Sequence, residues 1–208
     1  MQAPQRSAAG GRETLREARR EYFIRNRFGD DGGYASKWAE FALGPIPIPF
    51  PNTRERVRAL RFHDLHHVLT GYGTDVAGES QISAWELGSH CRDMAAAWVL
   101  NLGGLGLGLA VAPRVCWRAF VRGQSSQNLY TRPFDDALLD TPVEEARRAL
   151  GLAPEQDHAA TLRTRALFVL ACLAGTLIAV AGLAVFLPLA LLAAVPLNLA
   201  ARKRTQQT

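Results

Sequence analysis

The stretch HDLHHVLTGYGTDVAGE, residues 63–79, decides how the chain is organised. On a helix, His63 and His67 are four residues apart and Asp64 is three residues before His67, so the three side chains share one face. Side chains that share one face can converge on a single ion. Because glycine readily adopts the left-handed conformation that ends a helix, we expect this helix to stop at Gly71.

Glu79 follows His67 after eleven residues, and a short loop would return its carboxylate to the two imidazoles. Imidazoles and carboxylates together suit zinc, iron or manganese better than calcium or magnesium, which prefer shells of oxygen alone. Histidine pairs at helical spacing also occur without a metal, but three of the chain's five histidines fall within five residues here. His66 points about 100° away from His67, so we expect it beside the site or at the surface. The predicted metal ligands are His63, Asp64, His67 and Glu79.

The same residues resemble a known family. The spacing H-D-x-x-H-x11-E is the signature of the coenzyme Q biosynthesis protein 4 family, and His63, Asp64, His67 and Glu79 fill it without a gap. Residues 133–151 are similar to the closing segment of that family. The resemblance covers roughly residues 20–153, with the central motif as its specific part.

The resemblance implies a role in making ubiquinone, by oxidative decarboxylation at C1 of the prenylated benzoate head group at a membrane. The four motif residues would then be both metal ligands and catalytic residues, and the cofactor would be a divalent metal, zinc first, with iron or manganese as alternatives. The expected partners are a polyprenyl quinone intermediate, membrane lipid and other quinone biosynthetic enzymes, and a homodimer is also expected. Family members bind long isoprenoid tails in an apolar tunnel.

Two other functions compete with this interpretation. The first is a prenyl-lipid-binding scaffold without turnover, in which the metal only joins two helices and the chain organises the biosynthetic enzymes. A closed site of four ligands would favour the scaffold, whereas an exchangeable water on the metal would favour catalysis. The second is a metal-dependent hydrolase, because HDxxH resembles metal-hydrolase motifs, but the sequence has no second acidic cluster of the kind such enzymes use.

Composition narrows the class of protein and its surroundings. The chain has 208 residues, which is enough for one domain with an appendage. Its net charge is +5, and the basic residues form no stripe of the kind that binds nucleic acid. The three cysteines are far apart, which favours buried thiols in a reducing compartment over a disulfide framework. The bias toward alanine, leucine and arginine suggests a bacterium. We therefore expect the cytoplasmic face of a bacterial inner membrane.

No clear strand alternation appears along the chain, so we predict an all-α fold with three parts. These are a disordered tail at 1–11, a compact helical metal-binding domain at 12–160, and membrane-associated hydrophobic helices at 166–201. Within the domain we expect an extended proline strap at 44–51. The predicted helices run over 12–27, 35–43, from Thr53 to the metal motif, from Glu79 toward Leu100, and over 114–122 and 141–151.

The sequence contains two long apolar segments, at 95–113 and at 166–201. The run 95–113 is uncharged but rich in glycine, so we expect two packed segments that let a lipid chain approach rather than a span. Residues 166–201 also carry no charge, and as one straight helix they would extend about 54 Å against a hydrocarbon core of about 30 Å. We therefore favour a hairpin near Gly182 to Pro188, with both basic flanks on the cytoplasmic side. The alternative is one span over 166–187 followed by an interfacial helix.

Overall fold

The computed structural model describes residues 13–43, 46–152 and 160–205, with side chains described over 13–40, 49–152 and 160–188. The elements within these residues are α1 Leu15–Asn26, β1 Trp38–Leu43, β2 Ile46–Pro51, α2 Arg54–Thr70, α3 Val76–Gly88, α4 Ala95–Val111, α5 Pro113–Gln124, α6 Asp136–Leu139, α7 Val143–Ala149 and α8 Leu162–Thr205. The predicted all-α class is confirmed, with one small hairpin of two strands added. The tail predicted to be disordered at 1–11 lies outside the described residues.

Helix α2 begins and ends where the sequence predicts. The Thr53 hydroxyl accepts the backbone N–H of Arg56 at the N-terminus, and Gly71 adopts a left-handed conformation (φ 77°) at the C-terminus. Three of its last carbonyl oxygens accept arginine N–H groups: Arg147 donates to Val68 and Leu69, and Arg122 donates to Thr70. Cations suit this end of a helix dipole. Arg147 of α7 and Arg122 of α5 therefore hold the C-terminal end of α2 in place.

Helix α3 lies at the centre of the core, between α4 and α5. Ile82, Ala84 and Trp85 are fully buried, and α2 contributes Leu65 and Leu69 to the same cluster. All three cysteines are free, and the predicted burial is confirmed for Cys91 and Cys116, whereas Cys172 is only partly buried. An apolar core of this kind holds α2 and α3 at a fixed distance, which a preorganised metal site requires.

The helix predicted to run from Glu79 toward Leu100 is in fact two helices. It stops at Gly88, and the chain turns through His90 and Arg92, both with positive φ, before α4 begins. The Asn128 side chain stabilises this turn by donating to the carbonyl oxygens of Ser89 and His90. A side chain from a distant segment therefore ends the helix, and no local signal in residues 79–100 announces it.

Helix α4 corrects the prediction of two packed segments over 95–113. The chain forms one uninterrupted helix from Ala95 to Val111, despite four glycines. Its glycines face α3 and α8, and this packing outweighs the weak intrinsic helix propensity of glycine.

The predicted short helix at 35–43 is wrong, because Trp38–Leu43 forms strand β1. This strand pairs antiparallel with β2, with Trp38 opposite Pro51 and Glu40 opposite Pro49. The extended geometry predicted for the proline strap is confirmed over Ile46–Pro51, while residues 44 and 45 lie outside the described residues. Because the prolines occupy alternate positions, their missing N–H groups all fall on one edge of β2, which leaves the other edge able to pair.

Helix α8 is continuous from Leu162 to Thr205, so the predicted hairpin is wrong. No turn occurs near Gly182, and the backbone remains helical through Pro188 and Pro196. Apolar helices tolerate proline where local adjustments and neighbouring groups satisfy the freed carbonyl. The segment Leu162–Pro188 is long and apolar enough to cross a membrane. A continuous helix also separates its two basic ends. If α8 crosses a membrane, these ends lie on opposite sides of it, contrary to the expectation that both face the cytoplasm.

Candidate metal centre

Two helices supply the side chains of the metal motif. His63 and His67 lie one turn apart on α2, and Glu79 lies in the first turn of α3. The Asp75 side chain starts α3 by accepting the backbone N–H of Gly78 at 2.8 Å. Gly78 must be glycine here, because a Cβ at this position would collide with the backbone carbonyl of Gly73. This close contact folds the connection tightly and returns Glu79 to the two histidines.

Three of the four predicted ligands converge. The Nε2 atoms of His63 and His67 are 3.1 Å apart, and the Glu79 carboxylate reaches them at 3.4 Å and 3.5 Å respectively. Zinc binds imidazole nitrogen at about 2.0 Å with tetrahedral geometry, which places neighbouring ligand atoms about 3.3 Å apart. The distance between the two Nε2 atoms lies close to that edge, and each Nε2 faces a different Glu79 oxygen, Oε2 for His63 and Oε1 for His67. His63, His67 and Glu79 could therefore hold a metal ion.

The second nitrogen of each imidazole fixes its tautomer. His67 Nδ1 lies 3.1 Å from the carbonyl oxygen of Tyr72, and His63 Nδ1 lies 3.0 Å from Oε1 of Glu86. A carbonyl and a carboxylate only accept hydrogen bonds, so each Nδ1 carries the hydrogen. Each Nε2 is then the atom that faces the other ligands, which is the arrangement that a metal-binding histidine requires.

Glu86 is the functional residue that sequence reasoning missed. Its side chain is fully buried. Oε1 accepts hydrogen bonds from His63 and His66, and Oε2 accepts from Asn101 and Tyr130. These four donors fill the acceptor positions of one carboxylate. Burial alone would disfavour its charge, but His63 and His66 outweigh burial and hold the pKa of Glu86 well below its usual range.

A sequence signal for Glu86 does exist. It is the single acid between Ile82 and Gly88, and it lies seven residues after Glu79, two turns along the same helix. Histidine ligands of metals usually donate their other N–H to such a carboxylate or carbonyl. An acid at this spacing, inside an otherwise uncharged helix, is the pattern to look for.

His66 lies beside the site, the first of the two places expected for it. It is fully buried, its Nδ1 donates to Glu86, and its Nε2 accepts the backbone N–H of Leu129 at 3.0 Å. Burial is the main reason why its pKa is lowered. Both ring nitrogens are therefore occupied by protein partners, so His66 supports the site and does not bind the ion.

Asp64, the fourth predicted ligand, is not among the three side chains that converge. It is buried, and its Oδ2 accepts a hydrogen bond from the Tyr34 hydroxyl at 2.5 Å. Asp64 follows His63 directly and so projects about 100° further round the helix, toward the turn that carries Tyr34. Burial raises its pKa, although the Tyr34 hydrogen bond and the neighbouring histidines oppose that rise. Metal binding by Asp64 remains a prediction.

The three converging side chains differ in exposure. The His67 side chain is 0% exposed and that of His63 20%, whereas the Glu79 side chain is 45% exposed. The Tyr22 ring stacks on the His67 imidazole, with ring centroids 5.5 Å apart. Burial opposes the charge of Glu79, but its bonds to His63 and His67 lower its pKa to about 2. Three protein ligands with one accessible side are typical of catalytic zinc sites.

Comparisons with known proteins leave the site as the main guide to function. No protein-family model matches the chain, and no curated protein or solved structure matches it at a significant level. The motif, the geometry of its side chains and the surfaces around them are therefore the grounds for assigning a function.

Proposed function

We propose that this chain is a metal-dependent enzyme of ubiquinone biosynthesis that oxidatively decarboxylates C1 of a prenylated benzoate head group. The convergence of His63, His67 and Glu79, with the Glu79 side chain 45% exposed, is the observation that carries the proposal. The reaction is Ar–CO2H + H2O → Ar–OH + CO2 + 2 H+ + 2 e−. Its two electrons go to an oxidant such as dioxygen. The resemblance of the motif to the coenzyme Q biosynthesis protein 4 family supplies the substrate class.

The residues of the chain have distinct roles in this proposal. His63, His67 and Glu79 would hold a divalent ion, zinc, iron or manganese, which would supply Lewis-acid polarisation of the carboxylate and phenol oxygens of the head group. Glu86 and the Tyr72 carbonyl keep both imidazoles turned toward the ion. Asp64 is the fourth ligand or the base. In either role it must first give up the hydrogen bond that it accepts from the Tyr34 hydroxyl.

The apolar parts of the chain fit a substrate of this class. A polyprenyl tail is too apolar for water, so an enzyme that acts on it benefits from a position at a membrane. Helix α8 supplies a candidate anchor, and its exposed side chains over 169–187 are almost all apolar. We place the protein at the cytoplasmic face of a bacterial inner membrane, which remains part of the proposal.

One observation favours the scaffold as a second candidate. The two histidines lie on α2 and Glu79 lies on α3, so an ion bound between them would also join these helices. A site with that role alone gains nothing from an accessible side. The exposure of Glu79 therefore supports catalysis over the scaffold.

The test is complementation of cells blocked at C1 of the quinone pathway. Wild type, His63→Ala/Glu79→Ala and the milder Glu79→Gln are expressed, and prenylated intermediates are followed by mass spectrometry. Glu145→Gln is the matched control, because Glu145 is exposed on α7. We expect wild type and the control to clear the carboxylated intermediate and both site variants to accumulate it. If all four proteins restore quinone equally, the scaffold replaces the enzyme; if wild type does not restore quinone, the substrate class is wrong.

A further inference from the structure

The outer face of α4 has the opposite polarity to that of an ordinary surface helix. Its exposed residues are all alanine, valine or leucine: Ala95, Val99, Leu100, Leu107, Ala110 and Val111. Its one polar residue, Asn101, is buried and donates to Glu86. A helix on the surface of a water-soluble domain normally presents charged and polar residues outward. An exposed face that is entirely apolar therefore calls for a partner or an apolar environment that covers it.

Helix α4 packs against the middle of the candidate membrane span. Gly106 lies against Gly175 and Ala179 of α8, and a Cβ on Gly106 would collide with the Gly175 carbonyl. Gly103 faces Ile178 in the same contact. Gly175 is the tenth residue of the uncharged run 166–201. Close approach of backbones through small residues is the usual way in which helices pack inside membranes.

The side of α8 that turns away from α4 is apolar as well. Val169, Leu170, Leu173 and Leu177 are exposed by 55% to 70%. No charged residue occurs in 95–113 or in 166–188. We refer to the exposed residues of α4 and these four residues of α8 as the α4–α8 surface.

The positions of the two helices fix their relative depth. With Arg165 at the head groups, Gly175 lies about 15 Å further along α8, inside a hydrocarbon core of about 30 Å. Gly106 of α4 then lies at the same depth, since the two backbones touch. A water-exposed α4 and an α8 that enters the bilayer at Arg165 are incompatible.

We propose that the α4–α8 surface is inserted among lipid acyl chains, so that hydrocarbon covers the outer face of α4. At 17 residues, α4 extends about 26 Å, and it enters the bilayer beside α8 without being a second independent span. Arg92 and Arg114 flank α4, and Arg163 and Arg165 precede the apolar part of α8. Cations at these ends suit anionic head groups.

This placement holds whatever reaction the metal site performs. The buried face of α4 contacts α3 through Asn101 and Glu86, and Glu86 contacts His63. The candidate metal centre therefore lies one helix behind the lipid-covered face. A substrate dissolved in the bilayer would have a short path to it.

The test measures the depth of single labels in lipid. The full chain carries Cys172→Ala together with one of Val99→Cys, Leu107→Cys, Leu177→Cys or Glu145→Cys, and each cysteine is labelled with the environment-sensitive dye NBD. Cys91 and Cys116 are buried, and the Cys172→Ala protein without an added cysteine measures their background labelling. Vesicles of phosphatidylcholine and phosphatidylglycerol contain doxyl-labelled acyl chains in one series and external iodide in the other. Circular dichroism shows that each labelled protein is folded.

We expect doxyl lipid to remove most of the fluorescence at positions 99 and 107, as at 177, and iodide to quench position 145 alone. Quenching of 99 and 107 by iodide, with doxyl quenching at 177, would place α4 in water and overturn the proposal. Protection of 99 and 107 from both quenchers would mean that a second copy of the chain covers α4. Absence of doxyl quenching at all positions would remove the membrane from this surface altogether.

Discussion

Oε1 of Glu86 lies 3.0 Å from Nδ1 of His63, and this contact joins the buried interior of the domain to its candidate metal centre. The same carboxylate also accepts hydrogen bonds from Asn101 on α4 and from Tyr130, which follows α5. One side chain of α3 therefore determines the orientation of a ligand on α2 and connects it to the helix that we place in lipid.

Glu86→Gln should weaken metal binding. Glutamine has one acceptor oxygen and an amide that donates, so two of the four donors around position 86 would face another donor. Loss of such a partner of a metal-binding histidine typically lowers metal affinity about 10- to 100-fold. Competition with a chromophoric chelator for Zn2+ measures the effect, with Glu145→Gln as the exposed control. Equal affinities in the two variants would mean that Glu86 supports the fold alone.

Glu79→Gln should abolish stabilisation by metal without unfolding the protein. The side chain is 45% exposed, so the metal-free variant should stay folded, but it should melt somewhat below the metal-free wild type because it loses the contacts with His63 and His67 that lower the pKa of Glu79. Wild type should gain about 2.7 kcal/mol at a zinc concentration one hundred times its Kd. Thermal melts with and without Zn2+ make the comparison. A variant that gains as much as wild type would show that Glu79 is not a ligand.

Metal affinity should fall as the solution becomes more acidic. Burial favours the neutral His63 ring, but the carboxylates of Glu86 and Glu79 raise its pKa well above the usual value in the metal-free protein. The proton and the metal compete for the same Nε2 atom, so binding should release a proton at pH 7 and weaken toward lower pH. Calorimetry in buffers of different ionisation enthalpy counts that proton. No proton release at pH 7 would contradict the raised pKa.

The metal-free protein should show the complementary dependence of folding stability on pH. A group with a folded-state pKa above its unfolded value stabilises the fold below the unfolded pKa, which is about 6.5 for histidine. That contribution from His63 is lost as pH rises through its folded-state pKa. Chelator-treated wild type should therefore lose more stability between pH 6 and 9 than chelator-treated His63→Gln, as measured by urea unfolding.

Gly106→Leu should destabilise the contact between α4 and α8. A side chain at position 106 meets the Gly175 backbone, and overpacking of this kind costs about 1–3 kcal/mol. Gly182→Leu is the matched control, because nothing lies within 4 Å of a Cβ at that position. Leucine there should be neutral or should stabilise the helix slightly. Thermal unfolding in detergent compares the two, and equal melting temperatures would argue against the close backbone contact.

The local signals at both ends of α2 were sufficient to predict this helix from the sequence. Thr53 and Gly71 are residues whose own chemistry starts and ends a helix, and both have these roles in α2. The same logic predicted the extended prolines but not β1, because Trp38–Leu43 becomes a strand only by pairing with them. Pairing partners are not visible in a local pattern.

Sequence reasoning failed where distant groups decide the outcome. The break before α4 depends on Asn128, and the single helix of α4 depends on packing against α3 and α8. The hairpin in α8 was predicted because one straight helix over 166–201 exceeds the hydrocarbon thickness and both of its flanks are basic, yet the helix is continuous. At the site, spacing identified His63, His67 and Glu79, but it could not show that Asp64 would hydrogen-bond to Tyr34.

The close contact between Gly73 and Gly78 ties the position of Glu79 to the number of residues that separate it from His67. Gly71 to Asp75 is all that connects α2 to α3, and the Gly73 backbone lies against Gly78 in the first turn of α3. One extra residue between Gly78 and Glu79 would move the carboxylate about 100° around α3 and point it away from both imidazoles. The eleven-residue spacing of the motif is therefore a property of how closely two backbones can approach, and the chemistry of the ligands depends on it.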